Sequence, residues 1–123
     1  MQAVTEQTGV SMKIPLCNIS QLNRCLGVEL ELEGEGLSLL LIKDQEQIMA
    51  YKNRCPHTGI ELNWLPDQFL DLEGKHIQCA THGARFRLND GLCISGPCTG
   101  QSLDSVPLFT DADRVYLHYP DNN

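Results

Sequence analysis

The chain has 123 residues, which is enough for one domain with its own hydrophobic core but too few for two. Hydrophobic residues make up 41% of the sequence and charged residues 20%, which excludes an intrinsically disordered chain. The formal net charge of -7 argues against nucleic acid or an anionic membrane as the main partner, because both require a basic face. The N-terminus has no secretory signal pattern, and no segment approaches the roughly 20 apolar residues of a membrane span. We therefore expect a cytoplasmic protein.

The first half of the chain shows mainly the alternation of apolar and polar residues that is typical of β-strands. Residues 1–12 are expected to be flexible, and residues 18–22 suggest a short helical turn. Glutamates alternate with apolar residues over 28–33, which predicts a strand with one buried face. The continuous apolar run over 37–42 predicts a strand buried on both faces, and 47–52 predicts a third strand after a polar turn.

The second half of the chain predicts shorter strands separated by longer loops. Strand patterns occur at 76–78, at 84–88 and, after an Asn-Asp-Gly turn, at 92–94. A last strand is predicted at 115–119, and the tail at 120–123 is expected to be flexible. Because turn residues recur throughout and no long helical period appears, the predicted fold class is all-β.

Two short segments each place one cysteine and one histidine in a tight loop that ends in glycine. Cys55 lies two residues before His57, and Cys79 lies three residues before His82. Thiolate sulfur and imidazole nitrogen are the ligands that hold zinc and iron–sulfur clusters. Either gap lets the two side chains of a loop converge, and the glycine permits a close backbone approach or a positive φ. The sequence therefore predicts a metal centre with these four ligands.

The motifs resemble those of the Rieske 2Fe–2S proteins, in which two cysteines bind one iron and two histidines bind the other. The resemblance runs from about residue 13 to residue 119. It rests on both loops, on Phe86 behind the second loop, and on Ser95-Gly96-Pro97, which is similar to the proline loop that covers the cluster in this family.

This resemblance implies an antiparallel β-sandwich over 13–119, with a small cluster-binding subdomain of two ligand loops at about 53–98. It also implies a single Rieske 2Fe–2S cluster as the cofactor. In that arrangement Cys55 and Cys79 bind the inner iron. His57 and His82 bind the outer iron, which is more exposed.

A structural zinc site with two cysteines and two histidines is the chemical alternative. Zinc fingers, however, usually pair like ligands and need only a small ββα unit, so the Rieske interpretation is favoured. Visible absorbance separates the two, because zinc sites are colourless.

The resemblance further implies a low reduction potential. High-potential respiratory members carry one more cysteine in each loop, but Ile60 and Thr81 occupy those positions here, so that disulfide cannot form. Those members also hydrogen-bond the cluster side with serine and tyrosine hydroxyls, which Ala84 and Phe86 replace. Hydrogen bonds to sulfur favour the reduced state, so their loss lowers the potential to about −150 mV, near the low end of the Rieske range.

The implied function is a one-electron carrier that passes electrons from a reductase to an oxygenase or another acceptor and has no catalytic activity of its own. The chain is too short to include the catalytic domain of a Rieske oxygenase. Its acidity either fits docking on basic redox partners or serves solubility only. The alternatives are the small subunit of a nitrite-reductase-type complex and, from another class, a redox sensor or zinc-stabilised binding module.

Two further features depart from the motifs. The 21 residues between His57 and Cys79 exceed the family's usual gap, so 60–78 forms a long loop. Its aromatic residues either shape a docking surface or close a small hydrophobic core, and the second interpretation is favoured. Cys93 and Cys98 flank the proline loop and would be near enough for a disulfide, but reduced thiols are favoured in the cytoplasm.

Overall fold

The computed structural model describes most of the chain. The described residues are 12–32, 34–56, 59–63, 68–81 and 83–119, of which Met12 and Tyr119 are described by their backbone alone. Two of the four predicted ligands, His57 and His82, lie outside this set, as do the predicted flexible ends other than Met12.

The described residues form nine strands and one short 3-10 turn. In chain order they are β1 (Met12–Asn18), the 3-10 turn (Ile19–Gln21), β2 (Cys25–Leu32), β3 (Glu35–Asp44), β4 (Gln47–Lys52), β5 (His76–Gln78), β6 (Arg85–Arg87), β7 (Cys93–Ser95), β8 (Leu108–Asp111) and β9 (Arg114–Tyr119). No helix in the described part of the chain has the length and apolar character needed to cross a membrane.

The strands form three antiparallel sheets of three strands each, with the orders β1-β9-β8, β2-β3-β4 and β5-β6-β7. The prediction of an all-β fold is confirmed. The first two sheets pack on each other and form what we call the base. The segment that begins at Cys55 follows β4 of the base, and the segment that begins at Cys79 follows β5 of the third sheet, so the two predicted ligand loops leave different sheets.

Strand β3 contributes to the two hydrophobic cores of the described structure, which confirms the predicted burial on both faces for residues 39–42, whereas Leu37 and Ser38 are half-buried. Leu39 and Leu41 point into the base core, together with Val115 and other residues of the first sheet. Leu40 and Ile42 point the other way, into the core that surrounds the ligand loops. Since side chains alternate along a strand, a single strand thereby ties the site to the base.

The structure also differs from the sequence prediction in several places. Strands β1 and β8 were not predicted, and β2 begins at Cys25, earlier than the alternating glutamates indicate. The sequence pattern did not predict β1 because the strand contains Pro15, which is tolerated mainly at the edge of a sheet. A register shift between Pro15 and Cys17 also interrupts its alternation. The predicted helical turn is present as a 3-10 turn at Ile19–Gln21.

Candidate metal centre

The first ligand loop, residues 55–60, is closed by two backbone hydrogen bonds. The N–H of Cys55 donates to the carbonyl of Ile60 at 2.8 Å, and the N–H of Gly59 donates to the carbonyl of Cys55 at 2.7 Å. Gly59 has a φ of 79°, a conformation that glycine adopts without steric cost. Gly59 and Ile60 are thereby bonded back to Cys55, at the start of the loop.

The second ligand loop, residues 79–84, repeats this arrangement bond for bond. The N–H of Cys79 donates to the carbonyl of Ala84 at 2.8 Å, the N–H of Gly83 donates to the carbonyl of Cys79 at 2.8 Å, and Gly83 has a φ of 73°. Each cysteine thus begins a loop of the same size and the same closure. The described parts of the two loops are therefore closed in the same way, although their histidines stand at different sequence positions.

Asn53 fixes the two loops to each other and to the base. Its buried side chain accepts a hydrogen bond from the N–H of Leu62 at 2.8 Å and donates one to the Ser38 hydroxyl on β3 at 3.2 Å. The carbonyl of Leu62 in turn accepts the N–H of Ala80 in the second loop at 2.7 Å. Asn53 was not among the predicted site residues; its only signal in the sequence is an amide placed between the end of a strand and a candidate ligand.

The two predicted cysteine ligands lie in the same hydrophobic core. Cys55 and Cys79 are each 1% exposed, and the core around them includes Ile77, Ala84 and Phe86. Two buried cysteine thiols that form no disulfide are the donor set that an iron–sulfur cluster requires at its inner iron. Among the described residues, no three His, Cys, Asp or Glu side chains converge on one point. The remaining predicted donors, the two histidines, lie outside those residues.

The proline loop, residues 95–97, rests directly on the second ligand loop. Gly96 has a φ of 104°, and a β-carbon built there would lie 2.7 Å from Cα of Ala84. Only glycine lets the two backbones approach so closely. The contact between Gly96 and Ala84 therefore places Ser95-Gly96-Pro97 against the second ligand loop.

Replacing Gly96 with alanine will destabilise the protein, because the new methyl group meets backbone atoms that cannot rotate away. Gly100→Ala is the matched control, since Gly100 has a similar φ of 94° but open space around it. We expect the apparent midpoint of thermal unfolding of Gly96→Ala to lie at least about 8 °C below that of Gly100→Ala, at one scan rate. Equal midpoints would show that the contact with Ala84 is not tight.

Cys93 and Cys98 flank the proline loop as two buried thiols. The Sγ of Cys98 donates to the Sγ of Cys93 at 3.0 Å, and the Sγ of Cys93 donates to the carbonyl of Ser95 at 3.2 Å. Burial, with smaller contributions from Cys93 and from the nearby Cys55, raises the pKa of Cys98 to about 12. The pair therefore lies beside a predicted cluster ligand.

The described part of the long loop folds back as a narrow hairpin. The N–H of Gln78 donates to the carbonyl of Phe69 at 2.8 Å, and Leu70 bridges Ile77. Phe69 is buried in the same core as Cys79, which agrees with the favoured interpretation of the loop as the cover of a hydrophobic core. Residues 64–67, including Trp64, lie outside the described residues.

Asp71 holds the turn of this hairpin. Its carboxylate accepts the backbone N–H of Lys75 at 3.0 Å and the Nδ1 of His76 at 3.2 Å, and the Nε of Arg85 lies 4.0 Å away. Burial acts to raise the pKa of Asp71, but the hydrogen bonds from Lys75 and His76 outweigh it, and the pKa lies below its usual value. His76 is thus a bonded part of the hairpin, whereas the sequence pattern indicated only a strand position.

Comparison with known proteins identifies the family. Residues 12–110 match the family model described as the Rieske [2Fe-2S] domain. The ferredoxin component of the naphthalene 1,2-dioxygenase system of Pseudomonas aeruginosa is 31% identical over 83 residues, which are 68% of this chain and 74% of that protein.

Solved structures share the fold. The Sphingomonas yanoikuyae B1 ferredoxin has a TM-score of 0.67 at 20% identity, with 89% of this chain and 100% of that chain covered. A chain in the complex of reduced oxygenase and oxidized ferredoxin of carbazole 1,9a-dioxygenase has a TM-score of 0.68 at 21% identity, with 90% and 96% covered. The protein belongs to the Rieske [2Fe-2S] domain family, and its cofactor is a single Rieske 2Fe–2S cluster.

Proposed function

We propose that the protein is a Rieske-type ferredoxin that takes single electrons from a reductase and passes them to an oxygenase. The observation that carries this proposal is the pair of matched loops, each of which begins at a buried cysteine. We place the Rieske domain at residues 13–119 and the cluster-binding part at about 53–98. The proposed ligands are Cys55, His57, Cys79 and His82.

The ligand loops are arranged so that their cysteines face inward while their outer residues face solvent. Cys55 and Cys79 are buried, whereas Gly59, Thr81 and Gly83 are exposed. When bound in such a site, a 2Fe–2S cluster accepts and donates one electron. The inward cysteines would hold its inner iron in a medium of low dielectric constant, and the two histidines would hold its outer iron near the surface that meets a partner.

The charge distribution explains how such a partner would meet the loops. Residues 53–98 contain four basic and five acidic side chains, so most of the net charge of -7 lies elsewhere in the chain. Large apolar side chains are exposed beside the ligand and proline loops, with Ile60 43% and Ile94 42% exposed. A nearly neutral surface with exposed isoleucines favours docking through apolar contact, with the acidic base acting mainly on solubility.

The relatives support the same role. The curated relative is the ferredoxin component of a dioxygenase system, and one structural neighbour comes from a complex of a ferredoxin with an oxygenase. A carrier of this kind works beside its reductase and oxygenase, and we place it in the cytoplasm. On this proposal the chain has no catalytic activity of its own.

Anaerobic stopped-flow mixing tests the proposal. The protein, reduced by a flavin-dependent ferredoxin reductase of a naphthalene dioxygenase system, is mixed with the oxidised oxygenase of that system, and the visible spectrum is followed. We expect the oxygenase to oxidise the protein again with one electron transferred per chain. A reduced protein that the oxygenase does not oxidise, although dithionite and ferricyanide cycle it, would contradict the proposal.

A pair of variants locates the docking surface in the same assay. Ile60→Asp places a charge beside the first ligand loop and is expected to slow the second-order transfer rate about tenfold or more. Gln45→Asp adds the same charge at the exposed turn between β3 and β4, at the opposite end of β4 from the loops, and is expected to leave the rate unchanged. Equal slowing by both variants would indicate a general charge effect instead of docking at the loops.

A further inference from the structure

The thiols of Cys93 and Cys98 form a pair outside the proposed ligand set. Their sulfurs are 3.0 Å apart, about 1 Å more than the length of a disulfide bond. Both side chains are buried, at 1% and 2% exposed, so no solvent separates them. A small rotation of either side chain would bring the sulfurs to bonding distance.

The segment that connects the two cysteines is at the surface. Residues 94–97 are all exposed. This segment is held mainly by local hydrogen bonds, in which the Thr99 hydroxyl donates to the carbonyl of Gly96 at 2.7 Å and the N–H of Gly100 donates to the carbonyl of Cys93 at 3.1 Å. A small oxidant therefore needs only a local opening of the proline loop to reach the sulfurs.

We propose that Cys93 and Cys98 are a reversible oxidation site, at which a small two-electron oxidant closes a disulfide across the proline loop. Two S–H bonds break, one S–S bond forms, and two protons and two electrons pass to the oxidant, which can be a diazene or a low-molecular-weight disulfide. Within the chain, only the two sulfurs change their bonding.

Reversibility follows from the bonding of the reduced pair. Each thiol proton already has an acceptor, since Cys98 donates to Cys93 and Cys93 donates to the carbonyl of Ser95. Closing the disulfide removes both of these hydrogen bonds. The reduced pair therefore has two hydrogen bonds that the disulfide lacks. These bonds stabilise the reduced state, so that a reductant can open the disulfide again.

Oxidation would lock the proline loop against the second ligand loop. Gly96 lies between the two cysteines and packs on the backbone of Ala84. A bond across this six-residue segment removes the open conformations in which Gly96 leaves Ala84. This consequence rests on the proposed cluster site, whereas formation of the disulfide does not.

Trypsin separates the pair from the other thiols, which makes the test direct. Residues 88–114 form one tryptic peptide that holds Cys93 and Cys98 and no other cysteine. The iron-loaded protein is treated anaerobically with diamide, denatured in acid, alkylated and digested. We expect this peptide to lose two hydrogen atoms and to escape alkylation, and dithiothreitol to restore both alkylation sites. Full alkylation of the peptide after diamide would overturn the proposal.

The variants guard against a misfolded sample. Cys93→Ser and Cys98→Ser should leave the partner thiol alkylated after diamide, and Cys17→Ser, whose site is in the base, should leave the disulfide unchanged. If a serine variant loses its visible circular dichroism, Cys93→Ala is used in its place. A peptide that still lost two hydrogen atoms in either serine variant would exclude the proposed bond.

Iron release to a chelator tests the lock. We expect the diamide-treated protein to release iron on the order of tenfold more slowly than the reduced protein, and the Cys93→Ser variant to show no such difference. Equal rates of iron release would contradict the claim that the disulfide holds the proline loop against the second ligand loop. A protein that holds no iron would refute the proposed function, while the peptide mass would still decide whether the disulfide forms.

Discussion

Replacing Cys55 or Cys79 with serine will remove the iron, the acid-labile sulfide and the Rieske electron paramagnetic resonance signal together. Each cysteine is 1% exposed inside its loop, so water has little access to take the place of the missing sulfur. A serine hydroxyl stays protonated at neutral pH and is a poor ligand for iron in this setting. His57→Ala and His82→Ala are expected to abolish the signal as well. Iron and sulfide assays on anaerobically prepared protein, with spectra at low temperature, measure the result.

Cys17→Ser is the matched control, because Cys17 is a half-buried thiol of β1 that packs on the base core. Its iron content and spectrum should equal those of the unmodified protein. A normal signal in Cys55→Ser would overturn the ligand assignment. A colourless protein that holds one zinc ion would instead support the structural zinc site.

Sequence and structure agree most closely where local pattern decides the outcome. The apolar run at 37–42 indicated a strand buried on both faces, and β3 does supply both hydrophobic cores. The strands β4 and β5 lie where the pattern placed them. Strand β1 could not be predicted, because it is held by pairing with β9 from the other end of the chain. The alternation of apolar and polar residues within one segment gives no information about the strand with which it pairs.

The sequence supplies the candidate ligands, which stay a prediction, but it does not supply the contacts that hold their loops. Spacing alone brought out Cys55 and Cys79 as candidate ligands. The hydrogen bonds of Asn53, and the contact of Gly96 with Ala84, join residues that are distant in sequence and carry no local signal. Tertiary contacts of this kind become visible only when the strands that carry them have been placed in space.

The reduction potential will be low, with a midpoint of about −150 mV. Ala84 and Phe86, which by the Rieske resemblance replace hydroxyl donors to the cluster side, are both fully buried in the core around Cys79. No hydroxyl group stands at either position to stabilise the extra negative charge of the reduced state. A midpoint above zero, measured by redox titration with mediators, would contradict this account.

Returning the hydroxyl groups should raise the potential stepwise. If one hydrogen bond to sulfur favours the reduced state by about 1.5 kcal/mol, Ala84→Ser or Phe86→Tyr raises the midpoint by about 65 mV, and the double variant by about 130 mV. Ala50→Ser adds the same hydroxyl in the base core, where Ala50 is likewise buried, and should leave the midpoint unchanged. A rise in Ala50→Ser as large as that in Ala84→Ser would mean that the hydroxyl acts through general destabilisation. A rise confined to positions 84 and 86 would assign it to hydrogen bonding at the site.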